Sequence, residues 1–408
     1  MTEILLWAGY FAVFAFLVHK GRSKDAVLSG SVGFGVQAFA YVATYISAVA
    51  LVGFGGLAHA YGLQMLLVAA GNVWFGTWAV YRFLAWPTRK WQERLGARTP
   101  AQLLGLGHGS PSLTRAMAFV FALFLGVYGS AVIKGAALLL AEILPVPVWA
   151  LIWLVAIIVG LTVFIGGLRG VLYTEAMQGV VMLVGMLMLV GAIFSKVGGP
   201  WEGMQALAAL PPSDLANNGF VSLSGGERGL FILSLVVVTS IAVWAQPQMM
   251  QRHFAIADPR QLKKTTPLAM FILTVLVGGA YFAAALSRLI LPDVASPDQV
   301  MPKLVQMLLP EFALHIFVLA IVSASLSTAT GIYHIAVSAL SEDLRGRPSN
   351  RLSWFTGIAI CVLVSGGCAQ IKGQLVALLC TTSWSIVGST VLVAYVALVR
   401  FGRSEERR

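Results

Sequence analysis

Apolar residues fill long stretches of this chain, and short polar segments separate them. Eleven stretches reach or approach the ~20 residues that cross the hydrocarbon core of a bilayer. They run over 3–19, 33–58, 61–84, 114–142, 147–166, 172–196, 229–251, 266–291, 312–341, 352–371 and 374–400. None alternates apolar and polar positions in the way a lipid-facing barrel strand must. Backbone in lipid has to satisfy its own hydrogen bonds, so each run is predicted as a helix. The expected fold is an all-α integral membrane protein with eleven transmembrane helices. The first run lacks a basic start and is followed by its positive charges, so it is expected to stay as a leading helix rather than act as a cleaved signal.

Composition agrees with the pattern: 58% of residues are hydrophobic and 11% charged, against about 25% charged in soluble domains. The net charge of +11 is informative through its placement. With the N-terminus outside, 21 of the 27 Lys and Arg fall on inner segments: after the first run, over 82–115 between the third and fourth runs, at Arg169, over 252–264 and 345–351, and at the end. Lys134, Lys196, Arg228, Arg288, Lys303 and Lys372 are the remainder. The positive-inside rule then predicts N-out and C-in, which needs an odd number of spans. Basicity on this reading is a topological signal toward the lipid bilayer, with no nucleic-acid role. Cys361, Cys368 and Cys380 show neither metal spacing nor a paired framework and are read as packing residues. The expected setting is a plasma membrane, a bacterial inner membrane in particular.

Past the leading helix at 3–19, residues 30–196 and 229–400 each hold five runs, with a polar segment at 197–228 between them. A repeat of odd helix number puts its second copy upside down, the build of many secondary transporters. That build predicts an interrupted first helix in each half. Gly53-Phe-Gly55-Gly56 marks the expected opening in the first half, and Pro247, after Thr239 and Ser240, marks it in the second. The other reading of the glycines is close helix packing.

Candidate chemistry concentrates at Ala324-Ser-Leu-Ser327-Thr328, inside the run 312–341. Positions 324, 327 and 328 share one helix face. Neighbouring hydroxyls and a free carbonyl at membrane depth can replace the hydration shell of a monovalent cation. Hydroxyls bonded back to their own helix are the structural alternative.

Four strings together resemble the sodium:solute symporter family. They are Ala43-Thr-Tyr45-Ile46-Ser47 followed by Gly53 and Gly62; Gly166-Gly167-Leu-Arg169 through Tyr173-Thr174-Glu175 with Gln178; Gln246-Pro247-Gln248 through Gln251-Arg252; and Ser327-Thr328 with Ser338 through Glu342-Asp343. The resemblance covers about 1–400 and lies nearest in character to the pantothenate and monocarboxylate carriers. It implies a ten-helix inverted-repeat core with one leading helix, and sodium-coupled import of a small organic solute, not an enzyme. It also implies a Na⁺ position formed by the carbonyls of Ala43, Ile46 and Ala324 and the hydroxyls of Ser327 and Thr328.

Some members carry an acid where this chain has Tyr45, which argues against the proline-carrier type. Some hold a second sodium with two further hydroxyls and an acid; here those positions are Thr330, Gly331 and Glu175, so one Na⁺ is expected. Glu175 is expected at the inner sodium exit. Substrate contacts are sought among Ser47, Gln64, Asn72, Tyr128, Thr239, Ser240, Trp244, Thr381, Thr382 and Ser383. These candidates include no acid, which favours a small organic acid or zwitterion as the solute. Two alternatives stay open: a solute sensor acting through a separate partner, and a proton-coupled carrier of the same fold, which the neutral sodium position disfavours.

Overall fold

The apolar runs fold into helices whose ends are written in local sequence. The computed structural model describes residues 2–20, 33–165, 168–224, 226–256 and 258–402. The basic segment after the first run, Gly166 and Gly167 of the second string, the side chain of Arg169 and the tail 403–408 lie outside the described residues.

Helix α1 is Thr2–Lys20 and α2 is Phe34–Tyr45. After a break, a π-helical turn at Val49–Gly53 leads into α3, Phe54–Tyr61. Gly62, at φ 74°, ends α3, and the chain turns into α4, Leu66–Val73. Two further π-helical turns carry it to α5, Trp86–Leu95. Then come α6 (Pro100–Gly107), α7 (Pro111–Leu140), α8 (Val148–Ile165), α9 (Leu168–Val197), α10 (Pro200–Ala208) and α11 (Gly229–Val236). Beyond a second break lie α12 (Pro247–His253), α13 (Pro259–Leu273), α14 (Gly279–Leu286), α15 (Val300–Leu308), α16 (Glu311–Ser338), α17 (Arg351–Ala369) and α18 (Val376–Phe401). No β-strand occurs among the described residues.

The caps follow familiar chemistry. Thr99, Ser110 and Asp258 each accept a first-turn N–H, and a Pro follows each at the position that needs no donor. Asn350 and Ser353 cap α17 reciprocally.

Nine helical stretches among the described residues are long and apolar enough to cross a membrane. The difference from eleven apolar runs has two sources. The apolar part of α1, Leu5–Leu17, is short, and Val49–Leu95 is continuous enough in helical turns to count once although Gly62 bends it. Burial sorts these stretches: 83% of the Val49–Leu95 and Glu311–Asp343 windows are buried, against 28% for Tyr173–Val197. The core of the bundle is therefore α16 and the α2–α4 region, with α8, α9 and α17 more peripheral. Helix α1 docks outside α9 and α16, with Tyr10 Oη 2.8 Å from Ser323 Oγ and 3.3 Å from Gln178 Nε2.

The connecting segments gather at two ends. At one end Thr99 and Gln102 donate to the Asp343 carboxylate, both at 2.8 Å, and Arg89 donates to the Phe254 carbonyl. At the other end Leu63 N–H donates to Phe220 O at 2.7 Å, and Val376 N–H donates to Asp298 Oδ2 at 3.0 Å.

Candidate functional site: a helix break facing the α16 hydroxyls

The first break does not lie at the glycines where the sequence suggested it. Helix α2 stops at Tyr45, and Ile46 is extended at φ −100° and ψ 131°. Gly53 and Gly56 sit in helical turns and serve close approach instead. A Cβ at Gly53 would fall 2.7 Å from Ala377 N, and one at Gly56 would fall 2.1 Å from Pro297 O. The small-residue packing reading holds there. The second break lies where the sequence suggested: Gln246 is extended, and Pro247 starts α12.

A helix that stops leaves its last carbonyls without downstream N–H partners. At the α2 terminus those carbonyls meet α16. Ser327 Oγ lies 3.1 Å from Ala43 O. Thr328 Oγ1 lies 3.3 Å from Ala43 O, 3.3 Å from Thr44 O and 3.2 Å from Ile46 O. Ser327 and Thr328 therefore point across to α2 and away from their own helix. Ala324 is fully buried one turn earlier on the same helix. Two ligands about 2.4 Å from one cation and at right angles stand about 3.4 Å apart. The observed spacings are close to that, so a small rotation of the hydroxyls would turn this cluster into a shell of neutral oxygens. Thr44 O is an addition to the expected set; it follows from the helix ending at Tyr45, which sequence spacing did not reveal.

Glu175 lies beside Thr44 at the edge of this cluster. It is buried and paired with the guanidinium of Arg252 on α12. A buried carboxylate and a buried guanidinium each need the other, since removing one leaves an uncompensated charge. Arg252 was not among the candidate site residues. Its signal was a basic residue directly after the apolar run 229–251, with Glu175 an acid at the start of the run 172–196. Gly331 contributes by omission: a Cβ there would stand 3.3 Å from Arg252 Nη2.

The remaining candidates divide by position. Tyr45 Oη donates to Thr239 O at 2.7 Å, joining the first break to the π-helical turn Val237–Ile241 before the second. Ser240 Oγ donates to Asn72 Oδ1 at 3.1 Å, linking α4 to the same turn. Tyr128 is buried against Trp384, with ring centroids 5.4 Å apart, and faces Ser47. Ser47, Asn72, Tyr128, Thr239 and Ser240 thus surround the two breaks, and the Thr239 hydroxyl has no hydrogen-bond partner among the described residues. Ser383 holds α18 to α7 by donating to Phe124 O at 2.6 Å. The others lie elsewhere. Gln64 donates to Tyr61 O at the turn after α3. Trp244 Nε1 donates to Phe75 O at 2.9 Å. Thr381 and Thr382 both bond back to Leu378 O, and Thr382 is exposed on the outer surface of α18.

The sequence profile of the sodium:solute symporter family matches residues 27–398. The chain belongs to the sodium:solute symporter family. Among curated relatives of this family member, the sodium/pantothenate symporter of Haemophilus influenzae is 27% identical over 347 residues, covering 81% of this chain and 69% of the relative. The sodium/pantothenate symporter of Escherichia coli is 29% identical over 324 residues, covering 78% and 65%. The high-affinity proline transporter of Bacillus subtilis is 26% identical, covering 83% and 71%. The chain thus spans about two thirds of the length of the pantothenate relatives. A solved structure, the substrate-bound outward-open state of a Na⁺-coupled sialic acid symporter, superposes with a TM-score of 0.75 at 14% identity, over 98% of this chain and 87% of that one. That likeness concerns the fold. Family membership makes the chain a multi-pass membrane transporter.

Proposed function

We propose that the protein imports a small carboxylate-bearing solute together with one Na⁺ by alternating access, with pantothenate the first solute to test. The observation that carries this reading is the meeting of the Ser327 and Thr328 hydroxyls with the carbonyls of Ala43, Thr44 and Ile46 at the α2 break. Na⁺ entering there would be held by neutral oxygens, including the Ala324 carbonyl, and so weakly enough to leave again. By tying α16 to α2, bound Na⁺ favours the conformation that accepts solute between the two breaks; rocking of one helix group then opens the other side. Glu175 marks the inner exit, its charge balanced by Arg252. The guanidinium beside Gly331 fills space that a further hydroxyl ligand would need, in keeping with a single ion.

The same reading takes the chain as eleven spans with N-out and C-in topology, in a bacterial inner membrane, with residues 30–196 and 229–400 as inverted five-helix halves. Two observations support it: the first helix of each half is broken, at Ile46 and at Gln246, and the basic segments around 89–98, 252–256 and 343–351 collect at one end. A monocarboxylate moving with one Na⁺ carries no net charge, so only the ion gradient drives it. A tenfold gradient, about 1.4 kcal/mol, would sustain about tenfold accumulation.

The test is uptake of labelled pantothenate into proteoliposomes under an inward Na⁺ gradient against a K⁺ gradient. Accumulation should need Na⁺ and should fail in Ser327→Ala. Equal uptake in the two salts would remove sodium coupling, and Na⁺-dependent uptake of another solute in place of pantothenate would correct the substrate alone.

A further inference from the structure

At the end of the molecule that carries Phe220 and Asp298, a cavity of about 470 Å³ opens between α3 and the segment joining α14 to α15. Gly56 and His59 line it from α3, Arg288, Pro292 and Asp293 from that joining segment, and Val300 from the start of α15. The hydrogen bonds in its wall fix the state of the histidine. Ser287 Oγ lies 2.6 Å from Ala284 O and 2.8 Å from His59 Nδ1. A carbonyl only accepts, so Ser287 gives its single proton to Ala284, and His59 must donate from Nδ1 to Ser287. The lone pair on His59 Nε2 then faces Arg288 Nη1, 3.4 Å away. The other support of the guanidinium is the face of Phe220, 5.1 Å from the ring centroid.

Arg288 is thus held by two uncharged groups, a ring nitrogen and an aromatic face. No ion pair to it exists among the described residues. Of its five N–H donors, one is directed at His59. Asp293 lines the same cavity but is exposed, where solvent and salt screen it. A half-buried guanidinium, oriented by neutral partners in a cleft of small-molecule size, matches the planar fork of a carboxylate.

We propose that this cleft is a carboxylate-capture site at the entrance of the carrier, in which Arg288 holds the acid group of a small organic anion. The entrance role rests on the import reading above; the anion site itself does not. His59 and Phe220 are positioning residues that aim the guanidinium. Capture here would raise the local concentration of anionic solute beside the path to the breaks.

The experiment uses the full chain in a non-ionic detergent and a sodium-free potassium buffer. Benzoate and pantothenate are titrated by calorimetry, alongside benzyl alcohol and the alcohol analogue of pantothenate. Both acids should bind saturably and neither alcohol should. Arg288→Gln should weaken acid binding by on the order of tenfold to a hundredfold, and Arg288→Lys, which keeps the charge but loses the fork, by less. Asp293→Asn should bind the acids equally or more tightly. A cooperative melt within a few degrees of the parent's shows that the Arg288 variants are folded. Alcohols that bind like the acids, unchanged binding in Arg288→Gln, weaker binding in Asp293→Asn, or sulfate binding at equal affinity would each overturn the assignment. Sodium-independent uptake in proteoliposomes would sink the symport reading while leaving this binding result in place.

Discussion

Ser327 and Thr328 are adjacent hydroxyls with different burdens. Ser327 touches one α2 carbonyl, whereas Thr328 touches two and the carbonyl of Ile46 in the break. The two positions should therefore respond unequally. Thr328→Ser, which keeps the oxygen, should retain Na⁺-dependent uptake with a half-saturating Na⁺ concentration within a few-fold of the parent. Thr328→Val, which keeps the shape and removes the oxygen, should raise that concentration by on the order of tenfold or more, the scale of one lost polar contact to a charge. Initial uptake rates over a Na⁺ series check this; equal behaviour of the two variants would show that the oxygen at 328 is not a ligand. The hydroxyl pair was legible in the sequence because polar side chains are conspicuous in an apolar run. Of its partners, Ala43 and Ile46 were indicated by the family resemblance and not by spacing, because backbone carbonyls exist at every residue; Thr44 was revealed only by the fold.

At the scale of elements, two polar links join helices that the apolar pattern alone would leave interchangeable. The first is Glu175 of α9 with Arg252 of α12. Glu175→Gln should destabilise the protein by about 3–5 kcal/mol because Arg252 is left buried without its countercharge, whereas Glu175→Gln combined with Arg252→Gln should recover much of that loss. Melting curves of the two single variants and the double variant in detergent decide it, and additive losses would disprove the pairing energy.

The second link is Asp298, which accepts the first N–H of α18 from outside the spans and leaves Oδ1 buried with no hydrogen-bond partner among the described residues. Burial raises its pKa above the ordinary carboxylate range, against the Val376 N–H bond and nearby Lys134, which pull it down. A raised folded-state pKa gives a contribution that is full below the unfolded value and lost as pH rises through the folded one. Asp298→Asn, which keeps an acceptor without a charge, should therefore gain melting temperature relative to the parent at pH 7.5 and show little gain near pH 4. A gain at both pH values would mean that charge is not the cause. The apolar pattern by itself paired neither set of residues, which lie more than seventy positions apart.

For the whole molecule the expectations concern sidedness and charge. With N-out and C-in topology, a single cysteine placed at Ser349, in a chain whose Cys361, Cys368 and Cys380 are replaced by Ala, should react with an impermeant maleimide only after the cells are opened. Labelling of intact cells would invert the topology. A one-to-one cycle of Na⁺ and a monocarboxylate should also be indifferent to a valinomycin-imposed potential at fixed ion gradients. Faster uptake at negative potential would mean a second Na⁺ or an uncharged solute.

The succession of apolar runs is fixed by the chain itself, because each spanning helix must hide its own backbone from lipid and so needs a continuous apolar stretch. Capping residues likewise act within a turn, which is why Thr99, Ser110, Asp258 and Asn350 mark helix starts. The location of the first break was decided only in three dimensions. Glycine at 53 and 56 looked like the weak point, yet those residues allow Ala377 and Pro297 to approach, and the helix opens at Ile46. There the freed carbonyls find the hydroxyls of α16, and Tyr45 reaches Thr239. An interrupted helix is stable only where other elements satisfy what it leaves unbonded, and those elements come from distant parts of the chain.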